Sequence, residues 1–230
     1  MIVVATRERG RNDEVRAWLP AVVDLREVPL TATRYRALAE VAEEARALGA
    51  GYARALVITS ARAARYVPAV AGALRAGAAV WSIGPATSAA LAAEGAEASA
   101  TAPTAREVAE ALTEGPVLVL AAREPRDELG QTLDARAVPW RSVWCYETLP
   151  LEPDEEGRRL LARATGVIVG APSAWRVARA HVRAATWVVV PGATTAAAVR
   201  ADHARVLVGW DRATGERLVE LAASAPTGPA

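Results

Sequence analysis

One phrase of the sequence occurs twice, as WSIGPATSAAL at 81–91 and as VVPGATTAAAV at 189–199. In both copies a β-rich run reaches a glycine and leads into an alanine-rich segment of helical character. Two further pairs of segments match in the same way, namely ALVITSARAARYV at 55–67 with GVIVGAPSAWRVA at 166–178, and the N-terminal MIVVATRERGRNDEVRAWL with VLVLAAREPRDELGQTL at 117–133. Internal similarity of this kind indicates duplicated structural units. The chain is therefore predicted to contain two copies of one α/β unit.

Short β-rich runs alternate with helix-like stretches along the chain, which favours an α/β fold with parallel sheets and crossover helices. The β-rich runs are MIVVAT, VVDLREV, ARALVITS, GAAVWSIG, GPVLVLAA, VPWRSVWCYE, TGVIVGAP, TWVVVPG and ARVLVG. Helices are predicted at about 12–19, 36–48, 61–75, 86–94, 104–113, 127–136, 154–164, 173–181, 194–201 and 214–223.

The order of the matched segments leaves two arrangements open, because two lobes either follow one another or one is inserted into the other. Two stretches with proline and threonine, VPLTAT at 28–33 and YETLPLEP at 146–153, have the composition of extended linkers. Their placement favours insertion. We expect an outer lobe of residues 1–31 and 150–230 and an inserted lobe of residues 32–149, with the last half-dozen residues frayed.

Composition argues against several kinds of chemistry and partner. The chain has no lysine, which excludes a lysine Schiff base, and its single cysteine and two histidines argue against a zinc site. A net charge of +1 argues against a strongly basic nucleic-acid binder. The first apolar run, MIVVA, meets charge at Arg7, and no uninterrupted apolar run reaches the ~18 residues of a membrane span. We therefore expect a cytoplasmic, metal-free protein.

Each copy of the repeated phrase predicts an anion-binding turn. The first backbone N–H groups of a helix that follows a strand have no intrahelical partner and point beyond the edge of the sheet. Gly84 and Gly192 would allow a ligand to approach the backbone closely, and Thr87 and Thr195 either cap the helix or donate a hydroxyl to a carboxylate or phosphate. Capping alone is the alternative for one copy. Two copies favour a shared anionic ligand, because open parallel sheets bind ligands beyond the carboxyl ends of their strands.

Arginines also accumulate directly after predicted strands. These residues are Arg7, Arg9, Arg11, Arg62, Arg65, Arg123 and Arg126. Each arginine taken alone is more often solvated or salt-bridged, and Glu8 and Glu124 are local candidate partners. The cluster therefore supports an anionic ligand better than any single member does.

Together these segments resemble the uroporphyrinogen-III synthase family. The resemblance rests on the order and spacing of an arginine near the N-terminus, ITSARA, IGPATSAAL, VLVLAARE, the linker tyrosine in WCYET, and PGATTAAAV, and it spans essentially the whole chain. It implies two flavodoxin- or Rossmann-like α/β lobes joined by a two-stranded linker, with the outer lobe built from both chain ends.

The resemblance also implies a cyclising hydro-lyase of haem-type tetrapyrrole biosynthesis. Linear hydroxymethylbilane loses water, its ring D is inverted, and the macrocycle closes to uroporphyrinogen III without a cofactor or metal. The ligand is a polyanionic linear tetrapyrrole, with no nucleic acid or membrane. We expect a monomer, with at most transient contact with the preceding enzyme of the pathway.

The functional residues of the family carry over to named positions of this chain. Tyr146 is the candidate acid that assists departure of the hydroxyl, with packing of a buried tyrosine as the alternative. The candidate substrate-binding residues are Arg7, Thr59, Ser60, Gly84, Thr87, Arg123, Ser173, Gly192, Thr194 and Thr195. The chain departs from the family at Gly170–Ala171, where a Thr-Ser pair is common, and at Pro191, where isoleucine is common. Because main-chain amides are expected to hold most of the substrate, we expect activity to survive both departures.

Two other functions stay open. A two-lobed sensor would close on an anionic metabolite without converting it, and a catalytically idle homologue would bind the same ligand without turnover. The lack of an export signal argues against a periplasmic receptor, and no residues are left over for a DNA-binding domain.

Overall fold

The computed structural model describes residues 1–125 and 128–224 of the chain. Arg126, Asp127 and residues 225–230, on which some of the sequence predictions fall, lie outside the described residues. The chain forms two compact units. The terminal unit contains Met1–Thr33 and the residues from Leu149 onward, and the central unit contains Arg34–Thr148.

Strands and helices alternate along the chain, as the sequence predicts. The strands are β1 (Ile2–Ala5), β2 (Asp24–Glu27), β3 (Thr31–Tyr35), β4 (Ala55–Ile58), β5 (Ala79–Ile83), β6 (Ala100–Ala102), β7 (Val117–Ala122), β8 (Trp140–Pro150), β9 (Gly166–Ile168), β10 (Trp187–Val190) and β11 (Val206–Val208). The α-helices are α1 (Asp13–Trp18), α2 (Leu38–Ala47), α3 (Val67–Ala71), α4 (Pro85–Ala93), α5 (Ala105–Ala111), α6 (Glu128–Ala135), α7 (Glu155–Arg163), α8 (Pro172–Ala178), α9 (Ala193–Arg200) and α10 (Arg212–Ala223). Among the described residues, none of the helices is both long enough and apolar enough to cross a bilayer.

The sheet of the terminal unit has the order β11-β10-β9-β1-β2, and all of its neighbouring strands are parallel. Side chains on both of its faces are buried. One face packs Val4, Val167 and Val188 into a core, and the other packs Val3, Ile168 and Val189. Burial on both faces is typical of parallel strands covered by crossover helices, and it explains why these strands read as continuous apolar runs. The predicted α/β class with parallel sheets is confirmed for this unit.

The sheet of the central unit has the order β3-β8-β7-β4-β5-β6, and its strands from β8 to β6 are parallel. Alternate residues of β4 and β7 again belong to different cores. Leu56, Ile58, Leu118 and Leu120 lie on one face, and Ala55, Val57, Val117 and Val119 lie on the other. The chain passes between the two units within β3 and again within β8, which pair with each other. The predicted two-stranded linker is therefore part of a sheet.

The duplicated segments occupy corresponding places in the two sheets. Strands β10, β9 and β1 are neighbours in the terminal unit, and β5, β4 and β7 are neighbours in the same order in the central unit. These strands carry the three matched pairs of segments. In both copies of the repeated phrase the glycine is the residue at which the helix begins, since Gly84 is the N-cap of α4 and Gly192 is the N-cap of α9.

Three elements differ from the sequence prediction. Strand β3 lies in a stretch that reads only as an extended linker, and β6 is a strand of three residues that no β-rich run marks. The helix predicted over 61–75 is divided, because a 3₁₀ turn at Ala64–Tyr66 leads into a short α3. Pro68 lies in the first turn of α3, where its missing N–H costs no intrahelical hydrogen bond.

Candidate functional site

A pocket of about 680 Å³ lies in the central unit, beside the carboxyl ends of β4 and β7. Its lining includes Thr59 and Ser60, which follow β4, and Tyr146 on β8. Trp140 forms another part of the lining, and its indole N–H donates to an Asp134 carboxylate oxygen at 2.7 Å. Three of the predicted site residues are therefore gathered at one pocket.

Tyr146 and Ser60 are in direct contact at this pocket. Their hydroxyl oxygens lie 2.7 Å apart, and either group can be the donor. Tyr146 is only 6% exposed, and its ring centroid lies 6.2 Å from that of Tyr35 and 5.8 Å from the guanidinium carbon of Arg62. A buried phenol in a hydrogen bond with a second hydroxyl can donate a proton to a group in the pocket and share the resulting charge with its partner.

Thr59 uses its hydroxyl within the sheet. Both its backbone N–H and its Oγ1 donate to the carbonyl of Leu120, at 3.2 and 3.0 Å. These bonds fasten the chain after β4 to β7. The Thr59 proton is thus engaged with the backbone, and Ser60 is the hydroxyl at this turn that reaches Tyr146.

The first of the two predicted anion-binding turns has a glycine that its backbone requires. Gly84 has φ +78°, a left-handed conformation that other residues rarely adopt. Of the two roles that the sequence leaves open for Thr87, the structure does not show capping of α4, because Gly84 is the N-cap and no side chain accepts a cap hydrogen bond. Thr87 instead lies inside the first turn and is 4% exposed. Within the described part of the central unit, the pocket beside Tyr146 is not lined by Gly84, Thr87 or Arg123.

The second of the two predicted turns, in the terminal unit, has a different backbone conformation at its glycine. Gly192 is extended, with φ −171°, and a Cβ added there would meet nothing within 4 Å. Thr195 does not cap α9 either, since Gly192 is the N-cap without a side-chain cap hydrogen bond, and Thr195 is 5% exposed. Thr194 is exposed beside it. The surface in front of this turn is therefore open, and its uncapped N–H groups remain available to an anion.

Ser173 lies in the first turn of α8, in the terminal unit. Helix α8 begins after Ala171, again without a side-chain cap hydrogen bond. Ser173 is half-buried and follows β9, as Ser60 follows β4. Ser173 comes five positions after the end of β9, whereas Ser60 comes two positions after the end of β4. In the matched segments Ala171, not Ser173, corresponds to Ser60.

Arg7 is engaged with its own unit. Its guanidinium lies 3.3 Å from a carboxylate oxygen of Glu14 and 4.6 Å from the ring centroid of Trp210. The side chain is 24% exposed. An anion that binds Arg7 would therefore compete with Glu14 for the guanidinium.

Arg123 is also paired, although not with the neighbour expected from the sequence. Its guanidinium donates to Glu147 at 3.2 Å and lies 5.4 Å from the ring centroid of Trp144. Arg34 binds the same carboxylate, and hydrogen bonds from Arg34 first and Arg123 second hold the pKa of Glu147 below its usual range. Two guanidinium groups share one carboxylate here, so one positive charge of this cluster is left over for an anion.

Cys145 does not line the pocket beside Tyr146. Burial raises the pKa of the Cys145 thiol to about 12, so that it stays protonated at neutral pH. Residues 1–125 and 128–224 contain no group of three His, Cys, Asp or Glu side chains that is placed to hold a metal ion.

A family model described as uroporphyrinogen-III synthase HemD matches residues 23–220, which is most of the chain. The chain belongs to the uroporphyrinogen-III synthase family. Solved structures with the same fold include uroporphyrinogen-III synthetase from Helicobacter pylori 26695, with 18% identity, a TM-score of 0.66 and coverage of 97% of this chain and 98% of that one. A mutant uroporphyrinogen III synthase from the extremely thermophilic bacterium Thermus thermophilus matches with 19% identity, a TM-score of 0.62 and coverage of 97% and 98%. No curated protein sequence matches the chain.

Membership of the synthase family does not favour the sensor interpretation.

The structure shows how the chain accommodates its two departures from the family pattern, at Gly170–Ala171 and at Pro191. A Cβ at Gly170 would lie 3.3 Å from Cγ of Arg7 and 3.5 Å from the ring of Trp210, so the bare glycine makes room for the stacked arginine. Pro191 is exposed and comes directly after the end of β10, where its missing N–H breaks no strand pairing. Both departures are compatible with the synthase fold.

Sequence reasoning missed two neighbours of the site. Glu147 follows the predicted tyrosine, but nothing local indicates that it binds Arg123 and Arg34 from two other segments. Tyr35 lies in the apparent linker, and only the pairing of β3 with β8 brings its ring to Tyr146.

Proposed function

We propose that this chain is an active uroporphyrinogen-III synthase, which converts hydroxymethylbilane into uroporphyrinogen III with loss of water and inversion of ring D. The observation that carries the proposal is the pair of hydroxyls on Tyr146 and Ser60, 2.7 Å apart at a pocket large enough for part of such a ligand. The family to which the chain belongs supports this substrate class.

Tyr146 acts as the general acid of the first step. Its phenol donates a proton to the terminal hydroxyl of the substrate, the C–O bond breaks, water leaves, and the lone pair of the adjacent pyrrole nitrogen stabilises the resulting cation as a protonated azafulvene. Ser60 donates a hydrogen bond to the phenolate that remains, and so stabilises the charge on Tyr146.

The later steps depend on how the substrate is held. The substituted carbon of ring D attacks the exocyclic methylene of the protonated azafulvene, and the resulting spiro intermediate fragments and recloses with that ring inverted. The ring D carbon that forms the last bond then loses a proton, and the phenol is restored. In each unit, the helix start at the repeated glycine and the arginines at the strand ends offer N–H donors and positive charge to substrate carboxylates. Fixing the carboxylates selects the carbon of ring D that forms the new bond.

The proposed reaction uses no metal and no cofactor. The chain would work in the cytoplasm as a monomer, independently of nucleic acid and membrane, with at most transient contact with the enzyme that supplies hydroxymethylbilane.

Turnover of enzymatically generated hydroxymethylbilane tests the proposal. Purified, dialysed and chelator-treated protein should form the macrocycle faster than a heat-denatured sample does. Activity that returns only with a divalent ion would contradict the metal-free reaction. Binding of a porphyrin without any acceleration would instead identify a sensor or an idle homologue.

A further inference from the structure

The arginines near the strand ends differ in their partners. Arg7 pairs with Glu14, Arg11 with Glu8, and Arg123 with Glu147. Arg65, in contrast, forms no ion pair with any carboxylate of the described residues, and its recorded contacts are with aromatic rings. Its guanidinium charge is therefore less compensated than the charges of Arg7, Arg11 and Arg123.

Arg65 packs on Tyr35, whose ring neighbours the tyrosine proposed as the general acid. Its guanidinium carbon lies 4.7 Å from the ring centroid of Tyr35 and 5.9 Å from that of Tyr66. The Tyr35 ring in turn lies 6.2 Å from the ring of Tyr146. Arg65 is exposed, on the 3₁₀ turn that comes shortly after Ser60. Two short contacts in series thus connect a surface guanidinium to the proposed catalytic phenol.

Tyr66, one of the two tyrosine rings that Arg65 contacts, is held in place by its hydroxyl. The Tyr66 hydroxyl lies 2.8 Å from the carbonyl of Arg36 and 2.7 Å from that of Cys145, and Tyr66 is fully buried. A guanidinium that rests on phenol rings is oriented by them, while its in-plane N–H groups stay open to a further partner. A neutral ring also does not neutralise the guanidinium charge, whereas a carboxylate partner would.

We propose that Arg65, seated on Tyr35, binds a carboxylate of the substrate beside Tyr146. This inference rests on the proposed function for the identity of the ligand, a polycarboxylate tetrapyrrole. Arg65 is a substrate-binding residue in this proposal, so its removal weakens binding and leaves proton donation by Tyr146 in place.

The variant Arg65→Gln tests the site, with Arg75→Gln as its matched control. Arg75 is also exposed, lies in the same unit, and has no ion pair with the described residues, but it lines a different pocket with Arg54 and Trp81. Loss of one charge-assisted hydrogen bond predicts a KM for hydroxymethylbilane about tenfold higher in Arg65→Gln, with kcat within about twofold of the unmodified protein. Arg75→Gln should leave both constants unchanged.

Variants of Tyr35 test separately whether its ring orients the Arg65 guanidinium. Tyr35→Phe keeps the ring and should keep the KM of the unmodified protein, whereas Tyr35→Leu should raise it, because the guanidinium loses the surface that orients it. If Tyr35→Leu raised KM as much in an Arg65→Gln background as alone, the effect would not run through Arg65.

A binding measurement separates this inference from the proposed function. Uroporphyrin III, a stable polycarboxylate, is titrated into each variant and its dissociation constant is read from fluorescence. A larger dissociation constant for Arg65→Gln than for Arg75→Gln supports the site. This holds even if the protein does not turn over hydroxymethylbilane, in which case only the proposed function fails. Equal constants and equal KM values in the two variants, or a loss confined to kcat, would overturn the assignment of Arg65.

Discussion

The hydroxyl oxygens of Tyr146 and Ser60 lie 2.7 Å apart although 86 positions separate the two residues in the sequence. Strand β7 lies between β8, which carries Tyr146, and β4, which precedes the turn that carries Ser60. The pairing satisfies a phenol that is almost fully buried and presents it at a pocket. The proposed role of Tyr146 as a general acid rests on this arrangement of a phenol at a pocket with a hydroxyl partner.

Replacing the phenol tests the role of Tyr146. Tyr146→Phe removes one general-acid contribution and keeps the ring, so the rate should fall by about 10²-fold or less, while isomer III still exceeds the uncatalysed background at high protein concentration. Initial rates and chromatographic analysis of the product isomers check both. A rate equal to that of the unmodified protein would make Tyr146 a packing residue, and a product of isomer I alone would make it essential to the rearrangement.

Ser60→Ala serves as the companion variant. If Ser60 acts through Tyr146, the two changes are not additive, and Ser60→Ala should have little further effect in the Tyr146→Phe background. Full additivity of the two losses would mean that Ser60 contributes independently of the phenol.

The two glycines of the repeated phrase should differ in what they contribute to stability. Gly84→Ala forces a side chain into a left-handed backbone, which should lower the free energy of unfolding by about 1–2 kcal/mol. Gly192→Ala, at an extended backbone with open space around the new Cβ, should change it by less than about 0.5 kcal/mol. Urea denaturation of both variants gives the comparison, and equal losses would contradict the backbone geometry described here.

The open surface at Gly192 makes it a probe of binding that leaves the fold intact. Gly192→Val pushes side-chain bulk in front of the N–H groups of α9, so it should weaken substrate binding and turnover more than Thr195→Val, which removes one hydroxyl. Steady-state kinetics test this, with thermal denaturation to establish that both variants fold. If both retained normal affinity and turnover, the start of α9 would not bind substrate.

Burial of Cys145 has a consequence at alkaline pH. Its thiol has a pKa raised from 9.0 to about 12, so between these values the unfolded chain loses the proton and the folded chain keeps it. Stability therefore falls as pH rises through this range, by up to about 1 kcal/mol per pH unit from this group. Cys145→Ala should show a smaller alkaline loss than the unmodified protein when urea denaturation is compared at about pH 8 and about pH 10. The same slope in both proteins would show that the thiol is not protected by burial.

Much of the fold follows from the sequence because its patterns are local. The continuous valine runs of β1, β9 and β10 predict parallel strands buried on both faces, and the repeated glycine at 84 and 192 predicts where α4 and α9 begin. Strand β3 does not follow from its own residues, since its partner β8 is more than a hundred positions away. The composition of an edge strand can match that of an extended linker, and only the pairing partner distinguishes the two.

The site is less predictable for the same reason. Positions after predicted strands point to the arginines, and the family resemblance points to Ser60 and Tyr146, but neither indicates which arginine has its charge compensated. Glu147 takes up Arg123, while Arg65 rests on Tyr35, and both outcomes depend on segments that are distant in the sequence. The backbone difference between Gly84 and Gly192 is likewise invisible in two nearly identical phrases.

The isomer composition of the product tests the central claim most directly. Hydroxymethylbilane closes spontaneously to the unrearranged isomer I. Only a synthase that directs bond formation to the substituted carbon of ring D produces isomer III. With purified protein in excess over freshly generated substrate, we predict that isomer III dominates the product. A product that consists of isomer I, formed at the rate seen without protein, would contradict the proposal that this chain is an active uroporphyrinogen-III synthase.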